Sequence, residues 1–287
     1  MAYIRYAVDT VNSVDPTHVF VPTELGELHV SVAGEGEGIV FWPSLLMDAG
    51  LWEPQVAHFA AGYRTIAIDP PGHGRSAPLT RVFTFAECAR CVVAVLDRLE
   101  VGRAHFVGNS WGAMVGGTFS ATYPDRVHSV VLMNGTASVA PLRQRLEFSA
   151  LLVLARLLRG IRPPLTRGVL RAFLGPTSRA TRPDAVRQVL ATAQRNEVAS
   201  ASYAVRSVVL RRPDQRKLFA AIACPALVVA GREDKTFPLA ELETMARAIP
   251  AAELVVLDDA AHLAAAEVPD VVNALVGQFL SRHPGQT

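Results

Sequence analysis

The pentapeptide GNSWG places Ser110 between Gly108 and Gly112, directly after the predicted strand 105–107. A strand that turns sharply into a helix strains its turn residue, and glycines two positions away leave the room that the turn needs. The serine oxygen is then presented at the edge of a sheet, beside helix N–H groups that favour developing negative charge. This spacing predicts a nucleophilic serine, because an idle serine gives no reason for such a turn.

A serine hydroxyl needs a neighbouring base, and the base needs a carboxylate that orients it. His262 follows the apolar run 254–257, and Asp234 lies just after the run 227–230. In the chain order serine, acid, histidine, these are the positions expected for the base and the acid. The alternatives that remain open are His73 as the base and Glu233, Asp258, Asp259 or Asp69 as the acid.

Acyl transfer also needs two backbone N–H groups that stabilise the oxyanion of the tetrahedral intermediate. One is expected on the residue after the nucleophile, Trp111, and the other in the loop after an early strand. That loop begins with Trp42 and Pro43, and proline has no N–H. Ser44 is therefore the predicted second donor, and the chemistry calls for no metal and no organic cofactor.

The elements that must position these residues alternate between short apolar runs and helical stretches. Strands are predicted at 28–33, 38–42, 65–68, 105–107, 129–133, 225–230 and 253–257, and helices at 84–99, 111–123 and 268–280. This alternation predicts an α/β fold with a mostly parallel central sheet and helices on both faces.

Between about residues 139 and 219 the pattern is helical throughout and interrupted by prolines. We call residues 139–219 the cap segment and predict that it is inserted in a core domain of residues 1–138 and 220–287. The apolar faces of 146–158 and 169–174 are expected to line a substrate cavity, since small-molecule sites are mostly apolar. The core residues expected to add to this lining are Trp42, Leu45, Leu46 and Met114.

The cap segment also contains arginines that could recognise a substrate carboxylate, although charged side chains usually remain at the surface. These arginines are Arg143, Arg145, Arg156, Arg159, Arg167 and Arg171.

Composition narrows the class of protein. The 287 residues are 50% hydrophobic with a net charge of +2, and the arginines are spread out with few aromatic residues between them, which argues against a nucleic-acid partner. The three cysteines favour a reducing compartment, and the CxxC at Cys88 and Cys91 lies inside a predicted helix instead of at a redox-type helix start. Without a signal peptide or a membrane-spanning run, we expect a cytoplasmic monomer or homodimer with a small-molecule substrate and no membrane partner.

Five motifs extend over most of the chain outside the cap segment. They are DPPGHGRS (69–76), GNSWGAMVGG (108–117), YPDRVHSVVLMN (123–134), GREDKTFP (231–238) and AHLAAAEVPDVVNALVGQFL (261–280). Together they resemble the α/β-hydrolase family, in its cap-domain branch of esterases, lactonases, carbon–carbon bond hydrolases and dehalogenases. Two positions depart from the family pattern: Trp42-Pro43 replaces the usual His-Gly, and Ala261 replaces the glycine common before the histidine.

The resemblance implies a reaction class. Dehalogenases and epoxide hydrolases of this family use an aspartate where this chain has Ser110, so those activities are not expected. The first hypothesis is a serine hydrolase that cleaves a carboxylic ester or lactone with a sizeable apolar part through an acyl-enzyme. The alternatives are hydrolysis of a carbon–carbon bond in a vinylogous diketone, which would want a basic group near the pocket, and a ligand-binding receptor on the same fold.

Overall fold

The computed structural model describes residues 15–285, which form an eight-stranded sheet with helices on both faces. The strands of this part of the chain are β1 (Thr17–Thr23), β2 (Gly26–Ala33), β3 (Gly38–Trp42), β4 (Arg64–Ile68), β5 (Ala104–Asn109), β6 (Val127–Met133), β7 (Ala226–Gly231) and β8 (Glu253–Leu257). Their spatial order is β1-β2-β4-β3-β5-β6-β7-β8. The pairs β1–β2 and β2–β4 are antiparallel, and the other five pairs are parallel.

The helices fall into two groups, those that cover the sheet and those of the cap segment. The first group is α1 (Glu53–Phe59), α2 (Phe85–Arg98), α3 (Trp111–Thr122), α10 (Leu239–Ala248), α11 (Ala264–Glu267) and α12 (Pro269–Arg282). The second is α4 (Leu142–Leu157), α5 (Leu165–Phe173), α6 (Pro176–Thr181), α7 (Pro183–Arg195), α8 (Val198–Val205), a π-helical turn (Arg206–Leu210) and α9 (Arg216–Phe219).

This architecture confirms the predicted α/β fold with its mostly parallel sheet. The strand missed by the sequence analysis is β1, whose side chains are mostly exposed or half-buried and therefore give no apolar run. The predicted bounds of the other strands and helices agree with the structure to within about two residues. The division into a core domain and a cap stays a prediction.

The two faces of the sheet carry separate apolar cores, which the alternation of side chains along each strand explains. In β3, Val40 and Trp42 belong to the core beneath α2 and α3, whereas Ile39 and Phe41 belong to the core beneath α1 and α12. All five residues of β3 are buried. The strand ends are therefore fixed on both sides, which positions the loops that follow them.

The two apolar stretches of the cap segment differ in burial. The side chains of Leu146 and Leu157 on α4 are 63% and 75% exposed, so these two leucines do not line a cavity, whereas Phe173 and Leu174 at the end of α5 are buried in the α1 and α12 core. The expectation that 146–158 and 169–174 line a substrate cavity stays a prediction. Residues 15–285 contain no helix long and apolar enough to cross a membrane.

Candidate active site

Ser110 occupies the junction between β5 and α3 with a left-handed backbone, φ 57° and ψ −106°. Non-glycine residues seldom adopt positive φ, and such strain concentrates at functional sites. The Ser110 N–H donates to the Met133 carbonyl at the end of β6, at 2.8 Å. The predicted sharp turn is thus confirmed, and it places the hydroxyl at the carboxyl edge of the parallel strands.

The two glycines of GNSWG are required by backbone contacts. A Cβ on Gly108 would lie 2.2 Å from the carbonyl oxygen of Gly112, and a Cβ on Gly112 would lie 2.0 Å from that of Trp42. Neither backbone atom can rotate away as a flexible side chain could. The glycines therefore allow α3 to begin directly against β5 and against the end of β3.

His262 and Asp234 form a buried pair. His262 Nδ1 lies 2.9 Å from Asp234 Oδ2, and the two side chains are 1% and 0% exposed. Because an ionised carboxylate only accepts, Nδ1 is the donor and Nε2 remains for another partner. Asp234 Oδ1 accepts from the N–H groups of Thr236, at 2.7 Å, and Phe237, at 3.2 Å, which orients the carboxylate.

Three of the other candidate acids have different partners, and the fourth, Asp259, is exposed. Asp69 bonds to His29, Glu233 bonds to Thr177, and Asp258 bonds to Arg232. Asp234 is the acid that the structure pairs with His262. His73, the alternative base, uses both ring nitrogens within the fold, as described below.

Two buried asparagines that the sequence analysis missed connect the three loops. Asn109 Nδ2, next to Ser110, donates to the His262 carbonyl at 2.9 Å. Asn134 Oδ1 accepts from the Gly231 N–H at 2.7 Å, and Asn134 Nδ2 lies 3.5 Å from Asn109 Oδ1. The chain of bonds thus runs from the acid loop through both amides to the histidine loop and brings the segments of Ser110, Asp234 and His262 together.

The predicted oxyanion donors lie on neighbouring segments. Trp111 is the first residue of α3, and the first N–H groups of a helix lack intrahelical partners. The loop with Ser44 follows Trp42, whose carbonyl touches Gly112. Ser44 is fully buried, and its hydroxyl has no hydrogen-bond partner among residues 15–285. The roles of Ser44 and Trp111 remain predictions.

His73 orders the loop after β3. Its Nε2 accepts from the Leu46 N–H at 3.1 Å, and its Nδ1 bonds to the Pro71 carbonyl at 3.0 Å. A carbonyl only accepts, so Nδ1 carries the proton and the imidazole is neutral. Leu46 has φ 65°, a conformation that this bond helps to maintain. His73 is therefore occupied structurally, which argues against it as the general base.

Asp69 supports the same loop from the other side. Its Oδ1 accepts from the Ala49 N–H at 2.7 Å, and its Oδ2 bonds to His29 at 2.8 Å and to the Arg75 N–H at 2.8 Å. Burial opposes the ionisation of Asp69, but these hydrogen bonds outweigh it and lower its pKa. Together His73 and Asp69 tie the loop to the DPPGHGRS turn.

Glu267 orders the histidine loop through hydrogen bonds to its backbone, and the sequence analysis did not identify this residue. Its Oε1 accepts from the N–H groups on both sides of His262, those of Ala261 at 2.9 Å and Leu263 at 3.2 Å. Its Oε2 accepts from the Gly175 N–H at 3.0 Å and the Ser178 hydroxyl at 2.6 Å. Burial raises the pKa of Glu267, although the four bonds oppose this effect. One carboxylate thus joins the histidine loop to the cap segment.

The predicted pocket residues have mixed surroundings. Trp42, Leu45 and Met114 are buried in the core beneath α2 and α3. Leu46 lines a cavity of about 1190 Å³ between α1, the DPPGHGRS turn and α7, whose lining does not include Ser110 or His262. The substrate-binding roles of these four residues stay predictions.

No group of three or more His, Cys, Asp or Glu residues in the described part of the chain is arranged to hold a metal ion. The CxxC cysteines are buried in α2, and burial raises the pKa of both thiols, to about 11 for Cys91. Such thiols are poor nucleophiles, because the reactive species is the thiolate.

Comparison with known proteins identifies the family of the chain. The family described as alpha/beta hydrolase fold matches residues 39–269, so the chain belongs to this family. A 2-hydroxy-6-oxononadienedioate/2-hydroxy-6-oxononatrienedioate hydrolase of Burkholderia vietnamiensis is 29% identical over 89% of this chain and 88% of its own length. The 3-oxoadipate enol-lactonase 2 of Acinetobacter baylyi is 27% identical over 85% of this chain and 88% of its own length.

Among solved structures, the enol-lactonase from Burkholderia xenovorans LB400 superposes with a TM-score of 0.84 at 25% identity, over 92% of this chain and all of that one. These relatives are hydrolases, which supports hydrolase function for this chain.

Replacing Gly112 with alanine should lower the free energy of unfolding by about 1–3 kcal/mol or more, because the new Cβ overlaps the Trp42 carbonyl. The matched control is Gly168→Ala on α5, where a Cβ meets nothing within 4 Å and alanine should stabilise the helix by about 0.5–1 kcal/mol. Urea unfolding measures both. Equal stabilities for the two variants would contradict the packing described for the turn.

Replacing Glu267 with alanine should lower the free energy of unfolding by about 3 kcal/mol or more, since four buried donors on two segments lose their acceptor. The control Glu243→Ala removes an exposed carboxylate 3.8 Å from Arg247, a pair worth less than about 1 kcal/mol. A Glu267→Ala protein as stable as this control would show that the four bonds are unimportant.

Burial lowers the pKa of His73 below its ordinary value of 6.5. At a pH between the lowered native pKa and 6.5, His73 binds more protons in the unfolded chain than in the native one. The free energy of unfolding therefore falls as the pH is lowered below 6.5. In His73→Gln, which keeps an acceptor for Leu46 but does not titrate, this fall should be smaller. Urea unfolding at about pH 7 and about pH 5 tests it. A free energy of unfolding that falls as steeply in His73→Gln as in the wild type would contradict this assignment.

Proposed function

We propose that this protein is a serine hydrolase that cleaves a carboxylic ester or lactone of a largely apolar small molecule. Ser110 is the nucleophile, His262 the general base and acid, and Asp234 the carboxylate that orients the imidazole. The N–H groups of Ser44 and Trp111 bind the oxyanion. The observation that carries the proposal is the left-handed Ser110 on a segment bonded, through Asn109, to the loop of the buried His262–Asp234 pair.

The arrangement supports a two-step reaction. Ser110 Oγ attacks the carbonyl carbon while its proton passes to His262 Nε2, and the resulting imidazolium is stabilised by Asp234. Collapse of the tetrahedral intermediate breaks the bond to the leaving oxygen, which takes the proton from His262. Water then attacks the acyl-enzyme, with His262 accepting its proton and returning a proton to Ser110.

Aromatic side chains around the histidine support its role as the base. The Phe173 ring from α5 stacks on the His262 ring with centroids 5.6 Å apart and an angle of 5° between the planes. The Phe237 ring lies at the same distance on a tilted plane. Both phenylalanines are buried, so they exclude water from the imidazole, and low polarity strengthens the pairing of the imidazolium with Asp234.

Carbon–carbon bond hydrolysis is the second candidate, favoured by the name of the Burkholderia vietnamiensis relative and by Arg212. Its guanidinium is nearly buried and lies 5.3 Å from the centroid of Phe237, which in turn contacts His262. Burial lowers the pKa of Arg212 to about 10, so it remains a cation at neutral pH. This candidate becomes the better one if a vinylogous diketone with a carboxylate has a higher kcat/KM than p-nitrophenyl esters and Arg212→Met removes that preference.

The Ser110→Ala variant should lose turnover of p-nitrophenyl esters by about ten-thousand-fold or more, because the covalent route is removed. A fluorophosphonate probe should label the wild type at Ser110, as located by peptide mass mapping, and leave the variant unlabelled. Ser149→Ala, an exposed serine on α4, is the control that should keep both turnover and labelling.

Label on another residue, or unchanged turnover in Ser110→Ala, would refute the acyl-enzyme. A single burst without further turnover in the wild type would instead favour the ligand-binding receptor on the same fold.

A further inference from the structure

Helix α4 is a surface helix with apolar side chains on more than one side. It contains no buried residue, although ten of its sixteen residues are Leu, Val, Ala or Phe. Its inward side packs through Phe148 and Leu152, which contact the core beneath α2 and α3. A helix with apolar residues on all sides is normally buried. The outward side of α4, in contrast, is exposed in the described part of the chain.

The outward side is a continuous stripe. Its members recur at intervals of four, four, three and four residues, which places them on one face of a helix about 24 Å long. We call these residues the outer stripe: Leu142, Leu146, Ala150, Val153 and Leu157, all of them exposed. The large apolar side chains that residues 15–285 expose are concentrated here and beside it, at Val139 and Leu151, with three others scattered elsewhere.

Positive charge surrounds the outer stripe. Between residues 142 and 173 the chain has seven arginines and one acid, Glu147, a net charge of +6 in a protein whose total is +2. On the helix, Arg145 and Arg156 border one side of the stripe and Arg143 borders the other. All seven arginines are exposed, and none lies within 4.0 Å of a described carboxylate.

An apolar stripe bordered by arginines matches the boundary between lipid head groups and acyl chains. There the leucines and valine would leave water while the guanidinium groups pair with anionic phosphates, each basic residue contributing about 1 kcal/mol. A second copy of the chain would match poorly, because the arginines of both copies would meet with few acids between them, and facing like charges oppose association.

We propose that α4 docks on an anionic lipid surface, with the outer stripe in the acyl boundary and Arg143, Arg145 and Arg156 on the head groups. The docking is peripheral, so it needs no membrane-spanning helix, and it revises the expectation that the protein has no membrane partner. It is independent of the reaction proposed for Ser110.

Co-sedimentation of the full chain with vesicles tests the proposal. The wild type should bind phosphatidylglycerol vesicles, bind phosphatidylcholine vesicles weakly, and lose binding as salt is added. Arg143→Gln/Arg145→Gln should weaken phosphatidylglycerol binding by about tenfold or more. Leu146→Ser/Val153→Ser should weaken it by a similar factor, since the buried apolar area is lost.

Two matched controls lie outside the outer stripe and its bordering arginines. Val271→Ser replaces a half-exposed valine on α12, and Arg187→Gln replaces an exposed arginine on α7, and both variants should bind as the wild type does. Thermal unfolding followed by circular dichroism verifies that every variant is folded.

The proposal is overturned if the wild type does not bind phosphatidylglycerol vesicles or binds phosphatidylcholine vesicles equally well. It is overturned as well if the two double variants on α4 bind as the controls do. It is also overturned if sedimentation velocity shows a dimer that Leu146→Ser/Val153→Ser converts to a monomer, because a second copy would then cover the stripe.

Discussion

The left-handed backbone at Ser110 is the constraint on which the site depends. Strand β5 can pass into α3 within one residue only if the positions on either side leave space for neighbouring backbone, and Gly108 and Gly112 do so. The same close approach brings the carbonyl at the end of β3 against the start of α3. The nucleophile and the start of the loop expected to bind the oxyanion are therefore held next to each other by this packing contact.

Buried polar side chains then fix the loops that no secondary structure fixes. Asp69 and His73 order the loop after β3, the two asparagines connect the loops after β5, β6 and β7, and Glu267 orders the loop after β8. In each case a side-chain oxygen or nitrogen bonds to the loop backbone, whereas in a sheet the backbone of a neighbouring strand would supply that hydrogen bond. A buried polar group is costly without partners, so these networks specify one loop geometry instead of several.

The parts that were predictable from sequence follow from local sterics and chain order. The glycines of GNSWG and the pairing of Asp234 with His262 belong to this kind. Glu267 could not be found, because its partners Gly175 and Ser178 lie about ninety residues away and AAAE looks like an ordinary exposed helix turn. The orientation of α4 could not be found either, since a helix with apolar residues on several sides has no period that identifies its inner face.

Glu267 has a thermodynamic consequence because its two oxygens serve different segments. Its Oε1 bonds to the histidine loop, and its Oε2 bonds to the backbone and hydroxyl that precede and begin α6. If α6 moved away, Glu267 Oε2 would lose both of its hydrogen-bond donors. The carboxylate would then be held less firmly in the position from which Oε1 bonds to the histidine loop. By reciprocity, whatever free energy the docked α6 contributes to ordering the histidine loop, the ordered loop contributes equally to docking α6.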